Sequence, residues 1–274
     1  MTLARTHTRA STLTSVALSL TVALSATTAL AQDAPTRRRP AFTLDASVDV
    51  PVIGLSLPVL ASWFLADELR APFCTRCDPS TVNAFDRFAA GNYSPAWGTA
   101  ADAVVFGLDG GLLLTVALAE GFPNAAVDGT VIIESVMVAN ATAILFNYAI
   151  SRPRPRLYGD AAPESERTGG LAAMSAFSGH TANAFAATVA TFQVLRRVAR
   201  PALAWTALGV GLALSSFTAV ARVAAGSHFP SDVLAGAVVG SSIGWLVPAL
   251  HRSPVHVAPM AYQTGAGLGL SGAF

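Results

Sequence analysis

Two histidines, His180 and His228, each lie in a short polar break between two long apolar runs. The remaining histidines, His7, His251 and His256, lie outside these breaks. An imidazole can act as a nucleophile, or as a general acid and base near neutral pH. An isolated histidine is more often a well-packed core residue, but serine, arginine and aspartate residues surround these two. The two breaks are therefore candidates for phosphate chemistry.

The break around His228 spans residues 221–232. Pro230 suits the first turn of a helix, which predicts that His228 lies just before a helix N-terminus. Free backbone N–H groups and the positive end of the helix dipole favour an anionic phosphoryl group there. Asp232 is predicted to reach one imidazole nitrogen and leave the other as a free nucleophile. Arg222 adds a planar set of donors for phosphate oxygens.

Two further breaks carry polar groups. In the first, residues 151–156, alternating prolines stop a helix and hold Arg154 in extended backbone. In the second, the hydroxyl of Ser178 and the amide of Gly179 are predicted to donate to phosphate oxygens. His180 follows them and is predicted to protonate the leaving group and then to activate water.

The three breaks resemble the three signature motifs of the phosphatidic acid phosphatase type 2 and vanadium haloperoxidase superfamily, over about residues 100 to 250. The matching residues are Arg154, Pro155, Ser178, Gly179, His180, Arg222, His228 and Asp232. The resemblance implies an all-helical core, a phosphohistidine intermediate on His228 and acid/base catalysis by His180. It implies no metal and no other cofactor for ordinary phosphatase action.

The chain departs from the family pattern where the first motif begins with lysine, because Asn147 stands at that place and the chain contains no lysine. The Asn147 amide is predicted to donate to a phosphate oxygen without carrying a charge, which weakens one charge-assisted bond worth about 1.5–3 kcal/mol. Phe177 replaces the usual proline and Ala221 the usual serine, which we expect to matter less.

The composition predicts one helical domain in a membrane. Of 274 residues, 53% are hydrophobic and 12% charged, and the mean hydropathy is +0.52. The net charge of +1 and the scattered arginines do not indicate nucleic-acid binding. The apolar runs are Pro51 to Leu69, Ala101 to Ala119, Thr130 to Ile150, Thr181 to Leu195, Ala202 to Val220 and Val233 to Leu250. We therefore predict an all-α bundle of about six apolar helices, although Thr181 to Leu195 is short enough for a soluble core helix.

The ends of the chain predict export and a separate tail. Residues 1–31 combine Arg5 and Arg9, an apolar run and an Ala-Leu-Ala cleavage pattern, which is typical of a secretory signal, with an uncleaved anchor as the alternative. Residues 32–50 are predicted to be a linker, residues 51–252 the helical domain and residues 253–274 a tail. Export would make a local disulfide the expected state of Cys74 and Cys77.

Three further segments carry weaker predictions. The tail, from Val255 on, alternates like a short hairpin or edge strand, and Phe42 to Val50 alternates similarly, so the two ends could pair. Glu134, inside an apolar run, is expected to face protein or a cavity. Arg152 and Arg156 are predicted either to steer an anionic substrate or to reach toward lipid headgroups.

The predicted location is the bacterial inner membrane, with the active site facing the periplasm as in membrane members of the family. After a cleaved signal, this orientation requires that Pro51 to Leu69 not cross the membrane, as Pro58 and the charges of residues 67–70 suggest. Arg196, Arg197, Arg200 and Arg252 would then lie inside, in agreement with the positive-inside rule. A soluble periplasmic protein is the alternative.

The leading hypothesis is a metal-independent phosphatase that hydrolyses a phosphate monoester or diphosphate of a lipid in the membrane. A soluble acid phosphatase of the same superfamily would use the apolar runs as an ordinary core. A vanadium-dependent haloperoxidase is disfavoured by the missing lysine, because bound vanadate carries much negative charge. A weakly active paralogue that binds anionic lipid headgroups is the fourth hypothesis, and Asn147 is the residue that supports it.

Overall fold

The computed structural model describes residues 39–198, 200–251, 256–262 and 265–271, so the predicted signal, residues 1–31, lies outside the described residues. The α-helices are α1 (Ala46–Ala61), α2 (Ala66–Leu69), α3 (Pro95–Glu120), α4 (Phe122–Ile150), α5 (Ser165–Thr168), α6 (Gly179–Arg197), α7 (Pro201–Ala224) and α8 (Pro230–Leu250). Short 3₁₀ helices cover Ser62–Leu65, Pro79–Thr81, Arg87–Ala89, Pro155–Tyr158 and Gly170–Ala173. Two strands follow, β1 (His256–Tyr262) and β2 (Gly265–Ser271).

Helix α6 is the centre of the bundle, where it packs against α3, α4, α7 and α8. Its alanines Ala182, Ala186 and Ala190 are buried, and their small side chains let the neighbouring helices approach closely. The helix begins at Gly179 because Ser178 caps it, its Oγ accepting the N–H of Thr181 at 3.3 Å. The predicted apolar run is therefore a helix surrounded by protein.

Three glycines of α8, spaced four residues apart, form the face that contacts α6. A Cβ atom would lie 2.7 Å from the Ser178 carbonyl oxygen at Gly236, 2.2 Å from that of Ala182 at Gly240 and 2.5 Å from that of Ala186 at Gly244. These contacts advance in the same direction along both helices, so α6 and α8 are parallel. Their N-termini consequently lie side by side at one end of the bundle.

The segment from α1 to α2 packs along the bundle from one end to the other, and whether Pro51 to Leu69 crosses the membrane stays a prediction. Asp49 contacts His251 at one end. At the other end Ser62 accepts the Tyr148 hydroxyl at 2.7 Å, and Asp67 accepts the Gly170 N–H at 2.6 Å. Pro58 lies inside α1, and the Asp67 carboxylate accepts a hydrogen bond from a loop.

Five described segments are long and apolar enough to cross a membrane: Ala46–Leu69, Pro95–Glu120, Phe122–Tyr158, Pro201–Ala224 and Pro230–Leu250. Their outward faces carry large apolar side chains, including Leu55, Phe106, Leu114, Trp205, Leu234 and Val238. Exposure of such apolar faces to water is unfavourable, whereas contact with the lipid tails of a bilayer is not. The prediction of an all-α membrane bundle is confirmed.

The tail forms the predicted hairpin, in which β1 and β2 are antiparallel, with His256 opposite Ser271 and Tyr262 opposite Gly265. The suggested pairing with Phe42 to Val50 is wrong. That segment enters α1 at Ala46, because the Asp45 carboxylate caps the helix by accepting the Ser47 N–H.

Candidate active site

The fold brings all three predicted motifs to one end of the bundle. His180 is the second residue of α6, and His228 lies two residues before the start of the parallel helix α8. Arg222 is in the last turn of α7, and Arg154 is in extended backbone after α4, as the prolines predicted. Both helix N-termini direct positive dipole ends to this place.

His228 is almost completely buried, with 3% of its surface exposed. Its Nδ1 lies 3.4 Å from the carbonyl oxygen of Ser175, which leaves Nε2 as the nitrogen available for chemistry. Burial lowers the pKa of His228 well below its ordinary value, and the nearby charges of Arg154 and Arg222 lower it further. The imidazole is therefore neutral at neutral pH, as a nucleophile must be.

Asp232 does not make the predicted hydrogen bond to His228. Its Oδ2 accepts the hydroxyl of Ser175 at 2.6 Å and the N–H of Phe229 at 2.8 Å, and its Oδ1 accepts Arg152 at 2.5 Å. The physical reason is its position in the first turn of α8, where a carboxylate satisfies the free backbone N–H of the helix start. Asp232 is connected to His228 through Ser175, whose hydroxyl binds the carboxylate and whose carbonyl faces the imidazole.

The Arg152 guanidinium bridges two buried carboxylates, a role that the sequence did not predict. It donates to Asp232 at 2.5 Å and to Asp86 at 2.8 Å. Asp86 also accepts the backbone N–H of Ser231 at 2.9 Å and its hydroxyl at 2.6 Å. Burial raises the pKa of Asp86, but the hydrogen bonds from Ser231 and Arg152 outweigh burial and leave it below the ordinary value. Sequence analysis missed Asp86 and Ser175, whose partners are distant along the chain.

Asp102, in the second turn of α3, is the partner of His180. Its Oδ1 lies 2.9 Å from Nε2 of His180 and 3.4 Å from a guanidinium nitrogen of Arg222. Sequence analysis did not single this residue out, although a carboxylate inside an apolar run is a functional signal that was recognised for Glu134. Asp102 therefore contacts both the second motif, at His180, and the third motif, at Arg222.

Asn147 occupies a different role from the predicted phosphate contact. Its side-chain nitrogen donates to the carbonyls of Ala143 at 2.8 Å and Phe177 at 3.1 Å, and its oxygen accepts the Ala176 N–H at 2.9 Å. Both amide hydrogens are thereby used. Asn147 fixes the backbone that leads into Ser178, where a lysine could not make the same bonds.

An open cavity of about 450 Å³ lies beside these residues. Three arginines line it, Arg154, Arg156 and Arg222, together with carboxylates that include Asp102 and Glu166. The histidine rings are not among the described lining residues, but Ser227 and Asp102, their direct neighbours, are. The cavity can hold an anionic group between the arginines and close to these neighbours of the histidines.

The fold and site define a helical membrane protein with a buried neutral histidine beside an arginine-lined cavity, an arrangement suited to phosphoryl groups. Residues 128–254 match the family model of the PAP2 superfamily. Asp86 and Asp102 lie outside the matched residues.

A relative from Porphyromonas gingivalis, named lipid A 1-phosphatase, is 39% identical over 92 residues, which are 32% of this chain and 20% of the relative. The chain thus spans only a fifth of the length of the curated relative that it matches. No solved structure matches the chain significantly.

Proposed function

We propose that the protein is a phosphatase that hydrolyses a phosphate monoester or diphosphate of a membrane lipid, with His228 as its nucleophile. The observation that carries the proposal is the buried, neutral His228 imidazole at the start of α8, next to a cavity lined by three arginines. The match of residues 128–254 to the PAP2 family model and the name of the P. gingivalis relative support a phosphatase.

The first step transfers the phosphoryl group to His228. Its Nε2 donates a lone pair to phosphorus while the bond from phosphorus to the leaving oxygen breaks. His180 gives a proton to that oxygen, so the alcohol leaves neutral. Because Nε2 of His180 faces Asp102, Nδ1 is the nitrogen that exchanges the proton with substrate.

The second step restores the enzyme. His180, now neutral, takes a proton from water, and the water oxygen attacks phosphorus while the bond to Nε2 breaks. Inorganic phosphate leaves and His228 regains its neutral form. Arg154, Arg222 and the two helix N-termini stabilise the negative charge on the phosphoryl oxygens, so the proposed chemistry uses no metal.

The apolar outer faces of the bundle argue for a lipid-linked substrate. The apolar tail of such a substrate can stay in the bilayer while its phosphate group enters the cavity. Among lipid phosphates, the 1-phosphate of lipid A is the first candidate, because the P. gingivalis relative carries that name. Phosphatidate, phosphatidylglycerol phosphate and undecaprenyl diphosphate are the alternatives that the same chemistry would accept.

We propose that the site faces the periplasm. The disulfide between Cys74 and Cys77 lies at the end of the bundle that carries the site, where Cys77 N–H donates to Leu157, and an oxidising compartment keeps such a bond. Arg197 and Arg200 lie at the opposite end, as expected for the inside.

This orientation places Phe42 inside, if the segment Ala46–Leu69 crosses the membrane. Cleavage of an export signal would instead leave Phe42 outside. A cleaved signal and a site that faces the periplasm are therefore compatible only if Ala46–Leu69 does not cross the membrane. Reporter fusions in the loop before α3 and after Arg200 test the orientation. Periplasmic reporter activity from the fusion after Arg200 would contradict the proposed orientation.

The activity is tested by phosphate release from purified protein with lipid A, the alternative phospholipids and a soluble aryl phosphate, with EDTA present. Release in EDTA that disappears in His228→Ala supports the proposal. Release that His228→Ala retains excludes the histidine mechanism. Binding of anionic lipid vesicles without any release would instead identify a binding paralogue.

A further inference from the structure

A second cluster of ionisable side chains lies at the end of the bundle opposite the candidate active site. Asp49 of α1, Glu134 of α4 and His251, directly after α8, have their ligand atoms within 4.8 Å of one another. Nε2 of His251 lies 2.9 Å from Oδ1 of Asp49 and 3.0 Å from Oε2 of Glu134. Helix α8 has 21 residues, so the cluster is about 30 Å from the helix start that carries the active site.

The cluster is closed off from solvent. The side chains of His251 and Glu134 are 0% and 1% exposed, and that of Asp49 is 15% exposed. The expectation that Glu134 faces protein is therefore confirmed. Two carboxylates and one imidazole share this buried place, so at least one negative charge has no counterion within the cluster, which is unfavourable at low dielectric.

The hydrogen bonds point to a ligand. Nδ1 of His251 lies 2.9 Å from the carbonyl oxygen of Val247 and can donate to it, which leaves the lone pair of Nε2 facing the two carboxylates. Metal-binding histidines are held in this way by a backbone carbonyl. If Nε2 instead carries the proton, that N–H is directed at Asp49. Oε2 of Glu134 lies within ion-pair distance of Nε2 in either case, and Oε1 of Glu134 has no hydrogen-bond partner among the described residues.

We propose that Asp49, Glu134 and His251 bind a divalent transition-metal cation of the Zn²⁺ or Mn²⁺ type. The separations of 2.9 and 3.0 Å between Nε2 and the carboxylate oxygens match the edge of an octahedral site, which is about 3.0 Å for metal–ligand distances of about 2.1 Å. One nitrogen and two carboxylates form a donor set that these cations accept. The metal would tie α1, α4 and the end of α8 together, and it takes no part in the proposed phosphatase chemistry.

The test uses the full chain in detergent, stripped with a chelator, re-equilibrated with Zn²⁺ and dialysed, with bound metal counted by mass spectrometry. We expect one tightly held Zn²⁺ per chain and a higher Tm with Zn²⁺ than without. Glu134→Gln keeps the shape of the side chain and should weaken Zn²⁺ binding at least tenfold and abolish the Tm shift. Asp102→Asn, which alters the other histidine–carboxylate pair, is the matched control and should bind like the wild type.

Two results would overturn the proposal: folded wild-type protein that retains no Zn²⁺ and no Mn²⁺, or equal retention by Glu134→Gln and the wild type. In the first case the cluster is a protonated ion pair, and in the second the metal binds elsewhere. If Glu134→Gln does not fold, Asp49→Asn changes the partly exposed ligand and gives the same comparison. Because binding is counted without substrate, failure here is distinct from failure of the proposed phosphatase function.

Discussion

Nε2 of His180 lies 2.9 Å from Oδ1 of Asp102, a carboxylate that comes from a helix outside the residues matched by the PAP2 family model. The same oxygen also contacts Arg222. A carboxylate in this place fixes the orientation of the imidazole and stabilises its protonated form. Helix α3 thereby contributes a positioning residue to a proposed site whose two histidines lie in the matched part of the chain.

Asp102→Asn should lower kcat by about 10²-fold, because His180 loses the group that orients it and stabilises its acid form. The loss should be larger for substrates with poor leaving groups, which need protonation, than for an aryl phosphate with a good one. Steady-state kinetics across a series of leaving groups measure this. Asp160→Asn, at an exposed ion pair with Arg76, is the control. A loss that is the same for all leaving groups would contradict the assignment.

Asn147→Lys should reduce stability and activity, although it restores the residue typical of the family. The lysine cannot accept the Ala176 N–H or donate to Phe177 in the same geometry, and a buried amide left without a partner costs about 1–3 kcal/mol. Thermal unfolding and phosphate release of the variant test this. Higher activity in Asn147→Lys would show that the position contacts substrate after all.

Arg152→Ala should lower the free energy of unfolding by on the order of 3 kcal/mol, because the buried carboxylates of Asp86 and Asp232 lose their shared counterion. Arg76→Ala removes an exposed ion pair and should cost less than about 1 kcal/mol. Denaturant unfolding of the two variants in the same detergent makes the comparison. Equal effects would mean that the Arg152 bridge is not stabilising.

Gly240→Val should separate α6 from α8, because even a Cβ atom would lie 2.2 Å from the carbonyl oxygen of Ala182. Overpacking of this kind costs about 1–3 kcal/mol and should move the two histidine-bearing helix starts apart. We expect a lower Tm together with a loss of phosphate release. Gly107→Val in α3, where no atom lies within 4 Å of the added Cβ, serves as the control. An unchanged Tm in Gly240→Val would refute the close packing.

The lowered pKa of His228 predicts two pH effects. The nucleophile stays neutral below pH 6.5, so the acid limb of kcat/KM that reports His228 should lie well below that pH. In the unfolded chain His228 binds a proton below about pH 6.5, whereas in the folded protein it stays neutral there. The free energy of unfolding therefore falls as the pH drops below that value. Tm measured from pH 7 to 5 should decrease less in His228→Asn. Equal decreases would exclude a low folded-state pKa.

The local signals in the sequence were sufficient for the helix starts and the three motifs. Pro230 and Ser178 define helix starts through contacts with residues close to them in the chain. The positions of His180 and His228 at or just before helix N-termini could therefore be predicted. The hairpin and the Cys74–Cys77 disulfide are likewise local, since each joins neighbouring segments of the chain.

The partners of these residues could not be predicted, because they depend on packing between distant segments. Asp86 meets Arg152 across 66 residues, and Asp232 meets Ser175 across 57. The spacing alone suggested that Asp232 would reach His228. In the structure its Oδ2 instead accepts the backbone N–H of Phe229 at the helix start. Pro58 lies within α1 and does not end it, because the packing of the whole segment against the bundle outweighs the local effect of one proline.

The parallel arrangement of α6 and α8 has a consequence for biogenesis. The two histidines lie at the same end, but between them the chain crosses the bundle along α6 and returns along α7 before α8 begins. During synthesis, the earlier helices can pack before His228, the proposed nucleophile, has been made. The proposed site therefore cannot assemble until His228 and the start of α8 have been made and have packed beside the start of α6.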